Sequence, residues 1–333
     1  MISSAIVFGA GSWGTALAAT LSQRGIKVQF WGRDAALMEE IGRTRRNHRY
    51  LPSLELDASI RVSSSFETLD PAELLVFVVP SRGIHGVARL AAAAGIGGKG
   101  SIVLSCTKGI ELDSGLRMSE ILAESFPEAG IAVLTGPNHA EEVAQRMATA
   151  AVVASVDADV ARAVQECFTL PWFRCYTSDD VVGVEWGGAL KNPYAIAAGI
   201  AQGLQLGDNA IAALVTRALA EMVRLGVAKG GQTETFYGLS GVGDLVATCY
   251  SKHSRNHRVG LALGAGQSLE DILKSTTMIA EGVPNTRSLH QSASAIGVRT
   301  PLLDAIHEVL YGGKSPPLAL KELLGRDPRP EAD

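Results

Sequence analysis

The chain has 333 residues, 30 Lys plus Arg against 34 Asp plus Glu, 47% hydrophobic and 19% charged residues. At about 150 residues per domain, this length favours two domains. The ordinary composition and the net charge of −4 disfavour disorder and nucleic-acid binding by bulk positive charge. The longest aliphatic and aromatic stretch, at about residues 74–79, is far shorter than the roughly 18 residues needed to span a bilayer. We therefore expect no stable membrane insertion.

The N-terminus and the cysteines bear on location. No Lys or Arg precedes Arg24, and glycines interrupt the early apolar run, which is unlike a secretory signal peptide. The cysteines form no CxxC pair and are too few for a disulfide scaffold, so buried thiols in a reducing compartment are expected. They are Cys106, Cys167, Cys175 and Cys249. We expect a cytoplasmic protein.

The first half alternates short apolar runs with amphipathic segments. Several runs are apolar at every position, which is typical of parallel strands covered by helices on both faces. The amphipathic segments at 15–24 and 84–94 are each followed by a glycine suited to a helix end. This rhythm predicts an α/β fold with an N-terminal Rossmann-type, doubly wound, mostly parallel sheet. The predicted strands are 5–8, 28–31, 60–62, 74–79, 101–105, 131–134 and 150–154.

The second half reads as helical. After about Tyr176 the strand signal disappears, and apolar residues between 211 and 222 recur at three- and four-residue spacing. Further helices are predicted at 283–295 and 301–310, and a long segment at 184–204 runs through the junction. The predicted division is a dinucleotide-binding domain, 1–182, and an all-helical substrate and catalytic domain, 183–333.

The strongest local motif lies directly after the first strand, in the segment Gly9-Ala10-Gly11-Ser12-Trp13-Gly14. In this context Gly9 permits a tight turn, Gly11 lets the backbone approach a pyrophosphate, and Gly14 lets helix and strand pack closely. The helix N-terminus then favours the negative charge of the pyrophosphate. The motif predicts a dinucleotide site, against the alternative of a glycine-rich turn without ligand.

The second predicted strand ends in Trp31-Gly32-Arg33-Asp34, where the fingerprint expects an acidic residue for the ribose 2′-hydroxyl. A cation there suits a 2′-phosphate, so Arg33 favours NADP. Two alternatives remain open: Arg33 as a solvated turn residue, or Arg33 stacked on adenine so that NAD is also accepted. The dense basic run at 43–49 is either a solvated loop or a positive lip that attracts anionic ligands.

Three polar segments attract attention farther along the chain. Lys108 follows the fifth strand, at the sheet edge where ligands bind. Lys191 lies in a predicted helix with Gly187 and Gly188 before it, which predicts a bare surface beside the lysine, and Pro193 interrupts that helix. Ser254 or Asn256 caps the next helix, and a helix start that also carries Arg255 suits a phosphate. His253 and His257 lack a third ligand at motif spacing, so no metal is expected.

Together these motifs resemble the bacterial NAD(P)-dependent glycerol-3-phosphate dehydrogenase family across nearly the whole chain and in the family's order. The resemblance implies reversible hydride transfer between NAD(P)H and dihydroxyacetone phosphate, giving sn-glycerol 3-phosphate for glycerophospholipid synthesis. The segments that carry it are 9–14, 47–52, 108–110, 136–138, 188–192, 241–245, 254–256 and 281–283.

The resemblance also implies residue roles. Lys191 would be the acid/base and Asp244 its orienting partner. The dinucleotide would contact Ser12, Trp13, Arg33, Lys108, Ala140, Arg255, Ile279 and Glu281 beside the glycines Gly9, Gly11 and Gly14. The phosphorylated substrate would contact Lys108, Gly136, Asn138, Lys191, Asn192, Asp244, Ser254, Arg255 and Asn256. Two positions depart from the family pattern: Asn138, commonly Ser or Thr, and Pro193, usually aliphatic.

Two other functions share part of this pattern. Another β-hydroxyacid-type NADP-dependent dehydrogenase shares the two-domain plan but need not carry the 254–256 element. A catalytically silent NADP-binding regulator would keep the first half, and intact Lys191 and Asp244 argue against it. The resemblance is compatible with a homodimer, since family members are often homodimers, but the sequence itself does not give the oligomeric state.

Overall fold

The computed structural model describes residues 1–275, 280–328 and 330–331. Its main sheet has eight strands in the order β10-β9-β8-β7-β6-β1-β2-β5, and β3 pairs with β4 in a separate antiparallel hairpin. The strands are β1 Ser4–Phe8, β2 Lys27–Trp31, β3 Arg46–Asn47, β4 Leu51–Glu55, β5 Arg61–Ser63, β6 Leu74–Phe77, β7 Ile102–Ser105, β8 Gly130–Thr135, β9 Thr149–Ala154 and β10 Phe173–Ser178.

The sheet is parallel except where β8 meets β9. Alternate residues of β1 enter different hydrophobic clusters: Ala5 and Val7 pack on one face of the sheet, and Ile6 and Phe8 on the other. Both faces are therefore covered, which explains why the strands read as continuous apolar runs. The predicted mostly parallel, doubly wound sheet is confirmed.

Helices cover the sheet in the first half and form the second half. The first six are α1 Ser12–Gln23, α2 Ala35–Thr44, α3 Ile84–Ala93, α4 Met118–Ser125, α5 Ala140–Ala144 and α6 Ala158–Phe168. The others are α7 Val181–Gly203, α8 Asp208–Ala228, α9 Thr233–Phe236, α10 Asp244–Tyr250, α11 Arg255–Gly264, α12 Leu269–Ser275, α13 Gly282–Ala295, α14 Pro301–Tyr311 and α15 Pro316–Leu324. Short 3₁₀ turns lie at Phe66–Thr68 and Ser81–Gly83, and a π turn lies at Leu239–Gly243.

The helical half is organised around α7. This helix is 23 residues long and contains Pro193, and its side chains form the centre of the helical hydrophobic cluster, with Tyr194 and Ile196 fully buried. Burial on nearly all sides outweighs the roughly 3 kcal/mol that an interior proline costs an ordinary helix. Among the described residues, no helix has both the length and the apolar character needed to cross a membrane.

The sequence did not predict the edge strand β10 or the β3–β4 hairpin. Edge strand β10 alternates buried and exposed residues, with Phe173 and Cys175 inward and Arg174 and Tyr176 outward, so it lacks a continuous apolar run. The β3–β4 hairpin begins in the basic run at 43–49, and its second strand β4 is mostly exposed. Tertiary pairing, rather than local apolar character, forms both elements.

Candidate functional site

The loop between β1 and α1 has the shape that its glycines predict. Gly9 has φ +123°, and a Cβ there would lie 2.6 Å from the Val78 carbonyl oxygen. A Cβ on Gly14 would lie 1.8 Å from the Gly9 carbonyl oxygen, whereas a Cβ on Gly11 would meet no protein atom within 4 Å. Two glycines therefore bring the turn and helix together, while Gly11 faces open space at the start of α1. This concave backbone fits a pyrophosphate.

Other groups around the loop match a dinucleotide. The Trp13 indole nitrogen is buried without a hydrogen-bond partner among the described residues. Ala140 is buried at the start of α5 and packs in a small cluster with Ala16. Asn47 donates from Nδ2 to the Ala10 carbonyl oxygen at 3.0 Å and to Thr15 Oγ1 at 2.8 Å, so it fixes the loop from outside. The buried side chain of Asn47 had no role assigned from sequence.

Arg33 lies exposed just after β2 and has no ion pair or hydrogen bond among the described residues. Its neighbour Asp34 accepts from the Leu37 N–H at 3.1 Å as the cap of α2, and pairs with Arg49 at 3.3 Å. The acidic neighbour is therefore engaged elsewhere, and the Arg33 guanidinium is accessible. Within the basic run, Arg46 is also paired, with Glu55 at 2.6 Å, so much of that charge is balanced locally.

Lys191, Asp244 and Lys108 meet in a buried cluster where the two halves join. Lys191 Nζ donates to Asp244 Oδ1 at 2.6 Å, and Lys108 Nζ donates to Asp244 Oδ2 at 2.7 Å. Lys191 is 6% exposed and Asp244 2% exposed. One carboxylate thus bridges two ammonium groups, one from the loop after β7 and one from the middle of α7.

The two ammonium groups differ in how completely they are bonded. Lys108 Nζ also donates to the Gly136 carbonyl oxygen and to Asn138 Oδ1, both at 3.1 Å, so its three N–H groups have three acceptors. Lys191 Nζ has a second acceptor in Thr248 Oγ1 at 2.7 Å and, among the described residues, no third. Lys191 therefore keeps one N–H group for a ligand.

Burial and charge shift the pKa values of this cluster. Burial lowers the pKa of Lys191 to about 8; Asp244 opposes this shift and the positive charge of Lys108 adds to it. Burial alone would raise the pKa of Asp244, but the charges and hydrogen bonds of Lys108 and Lys191 bring it below its usual value. Asp244 is thus ionised at neutral pH. The pKa of Lys191, at about 8, lies close to neutral pH.

The start of α11 lies against the glycine loop. Ser254 is the helix cap, since its Oγ accepts from the His257 N–H at 3.1 Å. An Arg255 Nη donates to Ser12 Oγ and links the helical half to the dinucleotide loop. The Asn256 side chain is occupied: Nδ2 donates to Asn192 Oδ1 at 2.9 Å and Oδ1 accepts from the Gly282 N–H at 2.9 Å. Of the two capping residues that the sequence predicted, Ser254 and Asn256, Ser254 caps the helix.

The start of α13, with Glu281 and Asn285, lies against Ser81 and the Lys108 backbone. Ser81 Oγ donates to Glu281 Oε2 at 2.8 Å, and burial raises the pKa of that carboxyl. Asn285 Nδ2 donates to the Lys108 carbonyl oxygen at 3.2 Å, while its Oδ1 and the Asn138 Nδ2 are buried without partners among the described residues. Ile279 lies outside the described residues.

The prediction of a bare surface beside Lys191 is wrong. A Cβ on Gly187 would lie 2.6 Å from the Ser240 carbonyl oxygen, and one on Gly188 would lie 2.7 Å from Thr135 Oγ1. Both glycines therefore allow close packing against protein instead of leaving room for substrate. Thr248, which accepts from Lys191, was not among the residues predicted from sequence; its position four residues after Asp244 on one helix was the available signal.

A family model described as NAD-dependent glycerol-3-phosphate dehydrogenase N-terminus matches residues 4–161, and the corresponding C-terminus model matches residues 180–321. The chain is 46% identical over 330 residues to glycerol-3-phosphate dehydrogenase [NAD(P)+] of Streptomyces coelicolor, covering 98% of each chain. It is 45% identical over 315 residues to the protein of that name from Moorella thermoacetica, covering 94% of this chain and 93% of the relative.

A solved structure is similar over the same extent. The crystal structure of glycerol-3-phosphate dehydrogenase from Coxiella burnetii superimposes with a TM-score of 0.93 at 36% identity, covering 97% of this chain and 99% of the other. The likeness therefore includes both the sheet and the helical half.

Proposed function

Because the chain belongs to the NAD-dependent glycerol-3-phosphate dehydrogenase family, we propose that it interconverts dihydroxyacetone phosphate and sn-glycerol 3-phosphate with NADP, and with NAD as a possible second cofactor. The observation that carries this proposal is the Lys191–Asp244–Lys108 cluster, in which Lys191 keeps one donor for a ligand. Matches to the family models in both halves favour this reaction over another β-hydroxyacid-type dehydrogenase.

The proposed division of labour follows the two halves, 1–182 for the dinucleotide and 183–333 for substrate and catalysis. The cofactor would lie on Gly9, Gly11, Ser12, Trp13 and Gly14. Support comes from the open space at Gly11 and the unpartnered Trp13 indole. When bound, the reduced nicotinamide supplies the hydride. Further contacts are proposed for Arg33, Lys108, Ala140, Arg255, Ile279 and Glu281.

Lys191 acts in this proposal as the general acid of reduction. A ketone oxygen that receives a hydride on its carbon gains negative charge, which an ammonium group stabilises and then protonates. The free donor of Lys191 supplies that proton, while Asp244 holds the ammonium in place. Lys108 contributes a second positive charge to the same place. In the reverse direction neutral Lys191 accepts the proton.

The substrate phosphate is proposed to lie at the start of α11. Arg255 offers a planar set of donors, and the early N–H groups of a helix lack partners within it. Ser254 and Asn256 support this helix start through their bonds to His257 and Asn192. Gly136, Asn138 and Asn192 complete the proposed substrate contacts, where the unpartnered Asn138 Nδ2 is an available donor.

The assay that tests this function follows the absorbance of NADPH with dihydroxyacetone phosphate and, separately, with unphosphorylated dihydroxyacetone. We expect rapid oxidation of NADPH with the phosphate ester only. Equal turnover of dihydroxyacetone would exclude the phosphate site, and no turnover of either ketone would overturn the proposed reaction. In the same assay Arg255→Lys keeps the charge but loses the planar fork, so KM for the ester should rise by about tenfold.

Location and assembly are proposed with the function. The four cysteines are free and buried, which supports a cytoplasmic protein that needs no disulfides. A phosphorylated metabolite is the small-molecule partner, with no role for nucleic acid or for membrane insertion. For the assembly we propose a homodimer, as is common in the family, and sedimentation of the purified chain tests it.

A further inference from the structure

The connection from β7 to α4 belongs to the first half but is held by the second. We call residues 106–117 the Lys108 loop. The Lys108 side chain bonds to Asp244, and the Lys108 carbonyl oxygen accepts from Asn285. Ile110 is 1% exposed and packs within the hydrophobic cluster of the helical half. The early part of this loop is therefore fixed by α10, α13 and the helical core.

The end of the loop is held by a different group, the Glu185 carboxylate of α7. Arg117 Nη1 donates to Glu185 Oε2 at 2.8 Å. The Ser119 N–H donates to Oε1 at 2.9 Å, and Ser119 Oγ donates to Oε2 at 2.5 Å. Glu185 is 8% exposed. Both oxygens of a buried carboxylate are thus used to hold the end of the loop and the start of α4.

The two ends of the loop are joined to each other. Ile110 and Arg117 form an antiparallel backbone bridge, and the Glu111 N–H donates to the Leu116 carbonyl oxygen at 3.0 Å. A shift of Arg117 is therefore passed to Ile110, two residues from Lys108. On the other side, Glu185 precedes Lys191 by six residues on the same rigid helix. Glu185 therefore connects the loop that carries Lys108 to the helix that carries Lys191.

We propose, on the basis of the proposed function, that Glu185 is a positioning residue for the reaction: it clamps the Lys108 loop to α7 so that Lys108 and Lys191 meet on Asp244. Glu185 touches neither substrate nor cofactor in this scheme. A buried carboxylate is costly compared with an apolar residue of similar size. What it supplies is a fixed register between a loop of one half and a helix of the other.

Loosening the clamp has a defined electrostatic consequence. Lys108 lowers the pKa of Lys191, so a Lys108 that drifts from Asp244 lets that pKa rise. The groups coupled to Lys191 charge are Asp244 and Cys249 from α10, Lys108 from its loop, and His139 from the segment after β8. Of these only Lys108 is connected to Glu185 through the loop. A rise in the pKa therefore distinguishes displacement of Lys108 from displacement of Asp244, which would lower the pKa.

The test compares Glu185→Gln with Glu221→Gln. Glu221 is the matched control, a buried carboxylate of α8 that accepts the Leu302 and Leu303 N–H groups at 2.7 and 3.2 Å and the Tyr194 O–H of α7 at 3.1 Å. Burial raises the pKa of both Glu185 and Glu221. Glu221 thus holds α7 but, among the described residues, has no bond to the Lys108 loop. The pKa of Lys191 is read by NMR of lysine labelled with ¹³C at the ε position and assigned with Lys191→Met. This readout needs no turnover.

We expect Glu185→Gln to raise the pKa of Lys191 by about 0.5 to 1 unit and to lower kcat by about tenfold or more, since small misplacements of catalytic groups are costly. Glu221→Gln should lower thermal stability without moving the Lys191 titration. An unchanged Lys191 pKa and kcat in folded Glu185→Gln would overturn the proposal.

If Glu185→Gln fails to fold, Ser119→Ala removes the hydroxyl, which donates to Glu185 and accepts from Arg117 Nη1 at 3.1 Å. It leaves the Ser119 N–H bond and the Arg117 ion pair with Glu185 in place. A smaller shift in the same direction supports the clamp, and an unmoved titration and kcat overturn it. A chain that titrates as expected but does not reduce dihydroxyacetone phosphate would contradict the proposed function and leave the clamp standing.

Discussion

The dinucleotide end of the site and the lysine cluster are built in opposite ways. At the first, Gly11 faces open space, the Trp13 indole has no partner among the described residues, and Arg33 extends into solvent. At the second, Asp244 and Lys191 are almost fully buried and bonded to each other. One region presents unsatisfied groups, and the other satisfies nearly all of its own.

This difference separates binding from proton chemistry. A cofactor supplies charges and hydrogen bonds of its own, so the protein needs only an open surface that complements them. A proton donor must already be oriented when charge develops, because reorganisation during the reaction adds to the barrier. Substitutions in the buried cluster should therefore change kcat, and substitutions at the exposed end should change cofactor selection.

The largest effect is expected for Lys191→Met, which keeps approximate length and removes both charge and proton. We expect kcat to fall by about 10² to 10⁴, the range for general acids and electrostatic groups, with NADPH affinity little changed. Lys274→Met, at an exposed lysine of α12 paired with Glu270, is the control for loss of a positive charge. Near-normal kcat in a folded Lys191→Met variant would move the search for the acid to Lys108.

Asp244→Asn should cost less, about 10²-fold in kcat, because this residue orients the proton donor instead of transferring the proton. The structure adds a second expectation. Asp244 raises the pKa of Lys191 against the effect of burial, so its neutralisation should lower that pKa below about 8. The pH dependence of kcat/KM measures this. A descending limb that moves to higher pH would contradict the arrangement.

Arg33→Ala tests the exposed end. Loss of a charge-assisted contact to the 2′-phosphate should weaken NADPH binding by about 1.5 to 3 kcal/mol and leave NADH little affected. The ratio of the two KM values is the measurement. Arg43→Ala, at an exposed position on α2, controls for the general loss of positive charge. Equal losses for both cofactors would remove the 2′-phosphate contact from Arg33.

The last prediction concerns the pH profile of the unmodified chain and needs no substitution. Reduction needs the Lys191 ammonium, and burial lowers its pKa to about 8. As pH rises through that value the ammonium is lost, so kcat/KM for dihydroxyacetone phosphate should fall by about tenfold per unit at higher pH. Oxidation of glycerol 3-phosphate should show the opposite dependence. A reduction rate independent of pH between 7 and about 10 would exclude Lys191 as the acid.

The sequence predicted those features that depend on local pattern. The continuous apolar strands, the glycine loop and the long segment at 184–204, which corresponds to α7, were recognisable because each follows from periodicity or from backbone geometry. Thr248 and Asn47 were missed because their partners, Lys191 and the glycine loop, are distant along the chain. Gly187 and Gly188 were misread for a related reason: a missing side chain does not reveal whether ligand or protein fills the space.

The direction of the Lys191 pKa shift also depends on contacts between residues that are distant along the chain. The sequence indicates that burial and Lys108 lower the pKa of Lys191 and that Asp244 raises it, but it does not show which of these effects is larger. Only the geometry shows that burial outweighs the bond to Asp244. The ribose end remains a prediction, since the accessible Arg33 is compatible with more than one cofactor contact.

The burial of Ile110 in the helical cluster has a consequence for protein engineering. A chimera that joins the first half of this chain to the helical half of a relative at the predicted division, after residue 182, would place a foreign loop in that core. The cohesive unit for exchange is the helical half together with residues 106–117. Shuffled libraries should therefore yield active recombinants when that segment travels with the C-terminal part, and misfolded ones when it does not.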